Sequence, residues 1–160
     1  MSYRNLHWIV LIGIFLSTAS YAQDDQVITN VGIGVSNSYG TRMVSLGIQE
    51  DLWGTLKQRG MGGFWIDDSG NGRNSSAFIS GQLGFEVNSN GTVVSIFTGP
   101  ALISIPDSYL GGPFQFMSDV HWGVQDMDLN YIGVYYRHIS SAGLETPNVG
   151  RDIVGLEIRF

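Results

Sequence analysis

Apolar residues alternate one for one with small or polar residues along most of this sequence, and that period of two constrains the fold more than any other feature. Thr29, Val31, Ile33 and Val35 alternate with Asn30, Gly32, Gly34 and Ser36, and Val44, Leu46 and Ile48 with Met43, Ser45, Gly47 and Gln49. Ile79, Leu83, Phe85 and Val87 share a face opposite Ser80, Gln82, Gly84 and Glu86. Phe114, Phe116, Val120, Trp122 and Val124 oppose Gln115, Met117, Asp119, His121 and Gly123. Successive side chains of a strand point to opposite faces, so each segment reads as a strand with one oily side. Segments near 60–67, 92–104, 128–140 and 151–160 bring the expected strands to eight.

The expected connections are 37–40, 54–59, 67–75, 88–91, 105–112, 125–127 and 141–150. Asn90-Gly91 is a strong hairpin signal, because a type I′ turn needs positive φ at both central positions. From the third strand onward long and short connections alternate, as they do in outer-membrane barrels. A soluble barrel turns its oily face inward, whereas a membrane barrel points it at lipid and fills its interior with polar groups. The face opposite the oily one holds Asn30, Gln49, Gln82, Glu86, Asp119, His121, Arg137, Glu157 and Arg159. Charges of both signs can pair inside a narrow barrel but are costly in a soluble apolar core. The final strand, Val154, Leu156, Ile158 and Phe160 on one parity, resembles the assembly signal of bacterial outer-membrane proteins. The expected fold is therefore all-β: an eight-stranded antiparallel transmembrane β-barrel.

Composition narrows the function. Of 160 residues only 14% are charged, against roughly 25% in average chains. The net charge of −6 disfavours nucleic acid as a partner. The absence of Cys removes disulfides, thiolate zinc sites and thiol nucleophiles. Residues 1–22 run from a head with Arg4 through an apolar stretch from Leu6 to Leu16, ending in Ser20-Tyr21-Ala22. This reads as a secretory signal peptide cleaved after Ala22, since the apolar core is too short to span a bilayer as a helix. The barrel domain is then 23–160.

The richest chemistry lies at the last two strands. Even positions of the seventh strand collect Ile132, Val134, Tyr136, His138 and Ser140, and even positions of the eighth collect Asp152, Val154, Leu156, Ile158 and Phe160. Both sets belong to the oily side. The eighth strand starts where the seventh ends, so Asp152 is expected at the same rim and on the same outer surface as His138 and Ser140. These residue types have the roles of a serine hydrolase: Ser140 attacks an acyl carbon, His138 takes its proton, and Asp152 fixes the tautomer. Asn148 and the amides of Ala142 and Gly143 are the nearest candidate oxyanion donors. With both termini periplasmic, the site meets the outer leaflet and its lipopolysaccharide. A polar triad on an oily exterior suits an enzyme whose substrate is lipid.

At these residues the sequence resembles the outer-membrane lipid A 3-O-deacylases, the PagL-like acyl hydrolases. Their His-x-Ser-Asn-Ala-Gly stretch, Pro-Asn, and Gly with a following acid correspond to His138-Ile139-Ser140-Ser141-Ala142-Gly143, Pro147-Asn148, Gly150 and Asp152. The close match covers about residues 135–160, with a looser one around Gly111-Gly112-Pro113-Phe114-Gln115-Phe116. The resemblance implies Ser140 as nucleophile, His138 as base, Asp152 as orienting acid and Asn148 as oxyanion donor. It implies lipid A as substrate, outer-membrane lipid as surroundings, and location in the bacterial outer membrane. Ser141 stands where the family usually has Asn, and Asp152 is one methylene shorter than its usual Glu.

Other features read as structural. His121 beside Asp119 has the opposite parity and suits a hydrogen bond inside the barrel. Asp67-Asp68 and Asn71-Gly72 lack the spacing and terminal Glu of a calcium loop. Trp53, Trp65, Trp122, Tyr131 and Tyr135 suit an interfacial girdle or barrel packing. No cofactor motif or metal spacing is present, and ester hydrolysis through Ser140 requires only water. Two rivals remain: an outer-membrane phospholipase, whose barrels need about a dozen strands, and a noncatalytic barrel serving as scaffold or adhesin. Dimerisation is left open by the sequence.

Overall fold

A computed structural model describes residues 28–36, 41–67, 74–104, 110–126, 130–144, 146 and 149–160. The expected signal peptide, residues 1–22, lies outside the described residues. Eight strands follow one another: β1 (Ile28–Ser36), β2 (Thr41–Trp53), β3 (Leu56–Asp67), β4 (Asn74–Ser89), β5 (Thr92–Ile103), β6 (Phe114–Gln125), β7 (Tyr131–Ser140) and β8 (Arg151–Arg159). Each pairs antiparallel with the next, and β1 pairs with β8 from Asn30↔Arg159 to Val35↔Val154, closing the sheet into a barrel. Closure removes both free edges, which would otherwise expose unpaired N–H and C=O groups.

The connections after β3, β5 and β7 span 68–73, 104–113 and 141–150, whereas those after β2, β4 and β6 span 54–55, 90–91 and 126–130. The barrel thus has a long-loop end and a short-turn end. Asn90 (φ 52°) and Gly91 (φ 81°) both take positive φ in the turn that pairs Ser89 with Thr92, as the dipeptide predicts.

Two connections differ from expectation. The expected loop 54–59 shrinks to Gly54-Thr55, because the polar run after it is cross-strand paired: Gln58 Nε2 donates to Glu50 Oε2 at 2.6 Å, and Lys57 pairs with Asp51. Conversely, β7 starts at Tyr131 and not near 128. Asp126 closes that turn, its amide donating to Asn130 O at 3.0 Å while its Oδ1 accepts from Asn130 N at 2.9 Å.

Burial follows parity. Val44, Leu83, Ile96, Val120, Ile132 and Leu156 are among many large apolar side chains on the outside, far more than a soluble monomer's surface usually carries as one patch. Inside, the long-loop end is apolar, with Met43, Trp65, Phe78, Met117, Ile139 and Ile153 in one cluster. Below it the interior is charged and paired. Arg137 grips Asp119 with two 2.8 Å bonds, Nε to Oδ1 and Nη2 to Oδ2. Arg59 forks onto Glu157 at 3.2 and 3.3 Å, and Arg159 binds both Glu157 and Glu86. Glycines make room for the larger groups, since a Cβ on Gly123 would sit 2.6 Å from the Tyr131 ring. An eight-stranded barrel is just wide enough for its side chains to fill it.

Candidate active site

On β7 the inward positions Tyr135, Arg137 and Ile139 are fully buried, while Tyr136 is exposed and His138 and Ser140 are half-buried on the outside. On β8 Arg151 and Ile153 point in and Asp152 points out. The β7–β8 register places His138 directly opposite Asp152. Their side chains meet, His138 Nδ1 to Asp152 Oδ1 at 2.8 Å. The pair is not buried: the two side chains are 42% and 54% exposed. Ser140 follows two residues after His138 on the same face, about 6.7 Å along the strand by backbone spacing.

The same carboxylate oxygen receives a second donor. Tyr136 Oη donates to Asp152 Oδ1 at 2.5 Å. Parity alone marks Tyr136 as an exterior aromatic, so sequence reasoning gave it no part in the site. Only the diagonal stagger of β7 against β8 aims its hydroxyl at Asp152.

Glycine at 150 has a local reason. Its φ is +76°, and a Cβ there would lie 2.8 Å from His138 Cε1 and 3.4 Å from His138 Nε2. The chain entering β8 therefore passes against the imidazole edge that carries Nε2. After Ser140 the backbone turns at once: Ala142 (φ 52°) and Gly143 (φ 83°) are both left-handed, and Leu144 N donates to Ser141 O at 3.0 Å. Ala142 holds a conformation that costs a non-glycine residue about 1–2 kcal/mol. Asn148, the expected side-chain oxyanion donor, lies outside the described residues.

Around the site the outer face changes character. In register with His138 across β6 and β5 stand Ser118 and Thr98, whose hydroxyls are 2.9 Å apart. Phe116 faces Ser140 across the β6–β7 pair and meets Phe114 edge to face at 5.5 Å. A polar row thus crosses an otherwise apolar wall, with aromatic rings above it. His121 behaves as its parity requires, inside the barrel with Nε2 2.9 Å from Arg59 Nη1. Among the described residues no cluster of His and carboxylates has the makings of a metal site.

Residues 32–160 match the family described as Lipid A 3-O-deacylase (PagL). The chain belongs to that family. A curated relative, the lipid A deacylase PagL of Bordetella bronchiseptica, is 42% identical over 57 residues, which are 36% of this chain and 32% of that protein. The aligned stretch therefore spans about a third of the relative's length. Among solved structures, the crystal structure of the outer membrane enzyme PagL superimposes with a TM-score of 0.61 at 20% identity, covering 83% of this chain and 98% of that one. The Yersinia pestis outer membrane protein Ail, determined in a phospholipid bilayer nanodisc, gives a TM-score of 0.54 at 12% identity, covering 86% and 100%. At these identities both likenesses speak to the fold alone.

Proposed function

We propose that this protein is an outer-membrane serine esterase that removes the ester-linked 3-O-acyl chain from lipid A. The barrel spans the bilayer, with its apolar exterior in lipid and with aromatic groups near both ends: Trp53, Phe85 and Trp122 toward the short turns, Phe64, Phe114 and Tyr136 toward the long loops. The signal peptide, residues 1–22, directs export, and the long-loop end faces out of the cell. The observation that carries the reading is the 2.8 Å contact of His138 with Asp152 on the lipid-facing wall, beside Ser140. A structural barrel has no need of an imidazole–carboxylate pair there, where lipid offers polar groups no compensation. Family membership supports the same chemistry.

In this mechanism His138 Nδ1–H donates to Asp152, which leaves Nε2 to accept the Ser140 hydroxyl proton as Oγ attacks the ester carbonyl carbon. The tetrahedral oxyanion is held by Asn148 and by the amides of Ala142 and Gly143 in the left-handed turn. Collapse breaks the bond to the sugar oxygen, which takes the proton from His138. Water then hydrolyses the acyl-Ser140 ester by the same route in reverse, releasing the fatty acid. The reaction as drawn involves no cofactor.

Mass spectrometry of lipid A from cells expressing the protein tests this. Wild type is expected to remove one ester-linked acyl chain, and Ser140→Ala to lower the rate at least about a thousandfold with the barrel still inserted. Unchanged lipid A with a folded, inserted wild type would overturn the proposal. Hydrolysis of phospholipid vesicles but not lipid A would point to the phospholipid instead.

A further inference from the structure

We infer that Tyr136 is a positioning residue whose hydroxyl holds the Asp152 carboxylate in place against His138, an inference that rests on the hydrolase reading above. Tyr136 precedes His138 by two positions on the outward face of β7, and its register partner is Val154. Asp152 is thus its diagonal neighbour across the β7–β8 pair, at a separation that an aromatic side chain can bridge. The hydroxyl reaches Asp152 Oδ1 at 2.5 Å, and the imidazole reaches the same atom at 2.8 Å.

Two facts make that second bond consequential. First, the His138 and Asp152 side chains are 42% and 54% exposed, so packed neighbours do not hold either group in a single rotamer. An orienting carboxylate must nevertheless stay in one geometry, because catalysis is sensitive to displacements of about 1 Å. Second, Asp is short. It ends one methylene before Glu would, so its carboxylate stays close to the β8 backbone, within the arc that the Tyr136 hydroxyl sweeps from β7. Bonds in which the acceptor is ionised are roughly twice as strong as neutral ones. The phenol therefore supplies the rigidity that burial does not.

An exterior aromatic serving only as lipid contact would work equally well as Phe. Tyr136→Phe keeps the ring and removes only the hydroxyl, so the fold is retained, as gel mobility before and after heating can verify. The test is kinetic, with purified lipid A in detergent micelles and four proteins: wild type, Tyr136→Phe, Asp152→Glu and the double variant. Tyr136→Phe is expected to lower kcat about tenfold with KM unchanged. In the Asp152→Glu background, where the longer arm carries the carboxylate to His138 unaided, the same change is expected to cost less than about twofold. Full activity of Tyr136→Phe, a loss confined to KM, or an equal loss in both backgrounds would overturn the inference while leaving the hydrolase reading standing. An inactive wild type would overturn both.

Discussion

Three single residues around His138 act in different ways. Asp152 accepts from its Nδ1, Tyr136 pins Asp152, and Gly150 leaves space beside its Nε2 edge. Gly150→Ala should therefore be damaging twice over. The left-handed φ of +76° carries a steric cost of about 1–2 kcal/mol for Ala, and the new methyl would push the imidazole. We expect kcat for deacylation to fall by at least about tenfold while the folded fraction of protein stays largely unchanged, measured by lipid A turnover beside a gel-mobility control. That His138, Ser140 and Asp152 share one outer face at one rim was legible in the sequence, because parity and rim position follow from counting along two strands. Tyr136 was not, because nothing in its neighbours distinguishes it from the other outward aromatics.

At the scale of strands, the interior pairs decide which segments extend. The run Lys57-Gln58-Arg59 looks like a loop when read alone, yet β3 begins at Leu56 because Lys57, Gln58 and Arg59 pair across the hairpin with β2 and Arg59 also finds Glu157 and His121 inside the barrel. Glu157 and His121 come from β8 and β6, remote in the chain, so no local pattern could foretell them. The Asn90-Gly91 turn was legible for the opposite reason, since its conformation depends only on its own two residues. The same pairing logic gives a stability prediction. Asp119→Ala would leave the fully buried Arg137 without its carboxylate, and we expect a loss of about 3–5 kcal/mol in reversible urea unfolding from lipid bilayers. Ser118→Ala, which removes only its exposed hydroxyl bond to Thr98, should cost far less, about 1 kcal/mol in the same assay.

At the scale of the molecule, the barrel is a filled cylinder whose outer wall carries the proposed site. Trp65, Arg59, Arg137, Tyr131, Tyr135 and Phe97 are all fully buried inside it. No continuous water path is expected through such a lumen, so the purified protein should give no stepwise ion conductance in planar bilayers, and regular single-channel steps would contradict the packing described. In the proposed mechanism chemistry is confined to the exterior, where an ester bond held in the outer leaflet can approach Ser140 without leaving the lipid. The sparse charge of the sequence fits this arrangement, because much of what charge the strands carry is turned inward and neutralised in pairs.

The sequence by itself determined which side chains face the same way, and hence that His138, Ser140 and Asp152 share the oily side of the last hairpin. It could do so because alternation is a property of the extended backbone, written residue by residue. Only the tertiary structure decided what those side chains touch. Register between strands is set by the closure of the whole barrel, from β1 on β8 to the stagger of every pair between, and a shift of two residues would preserve every face while moving His138 out of register with Asp152.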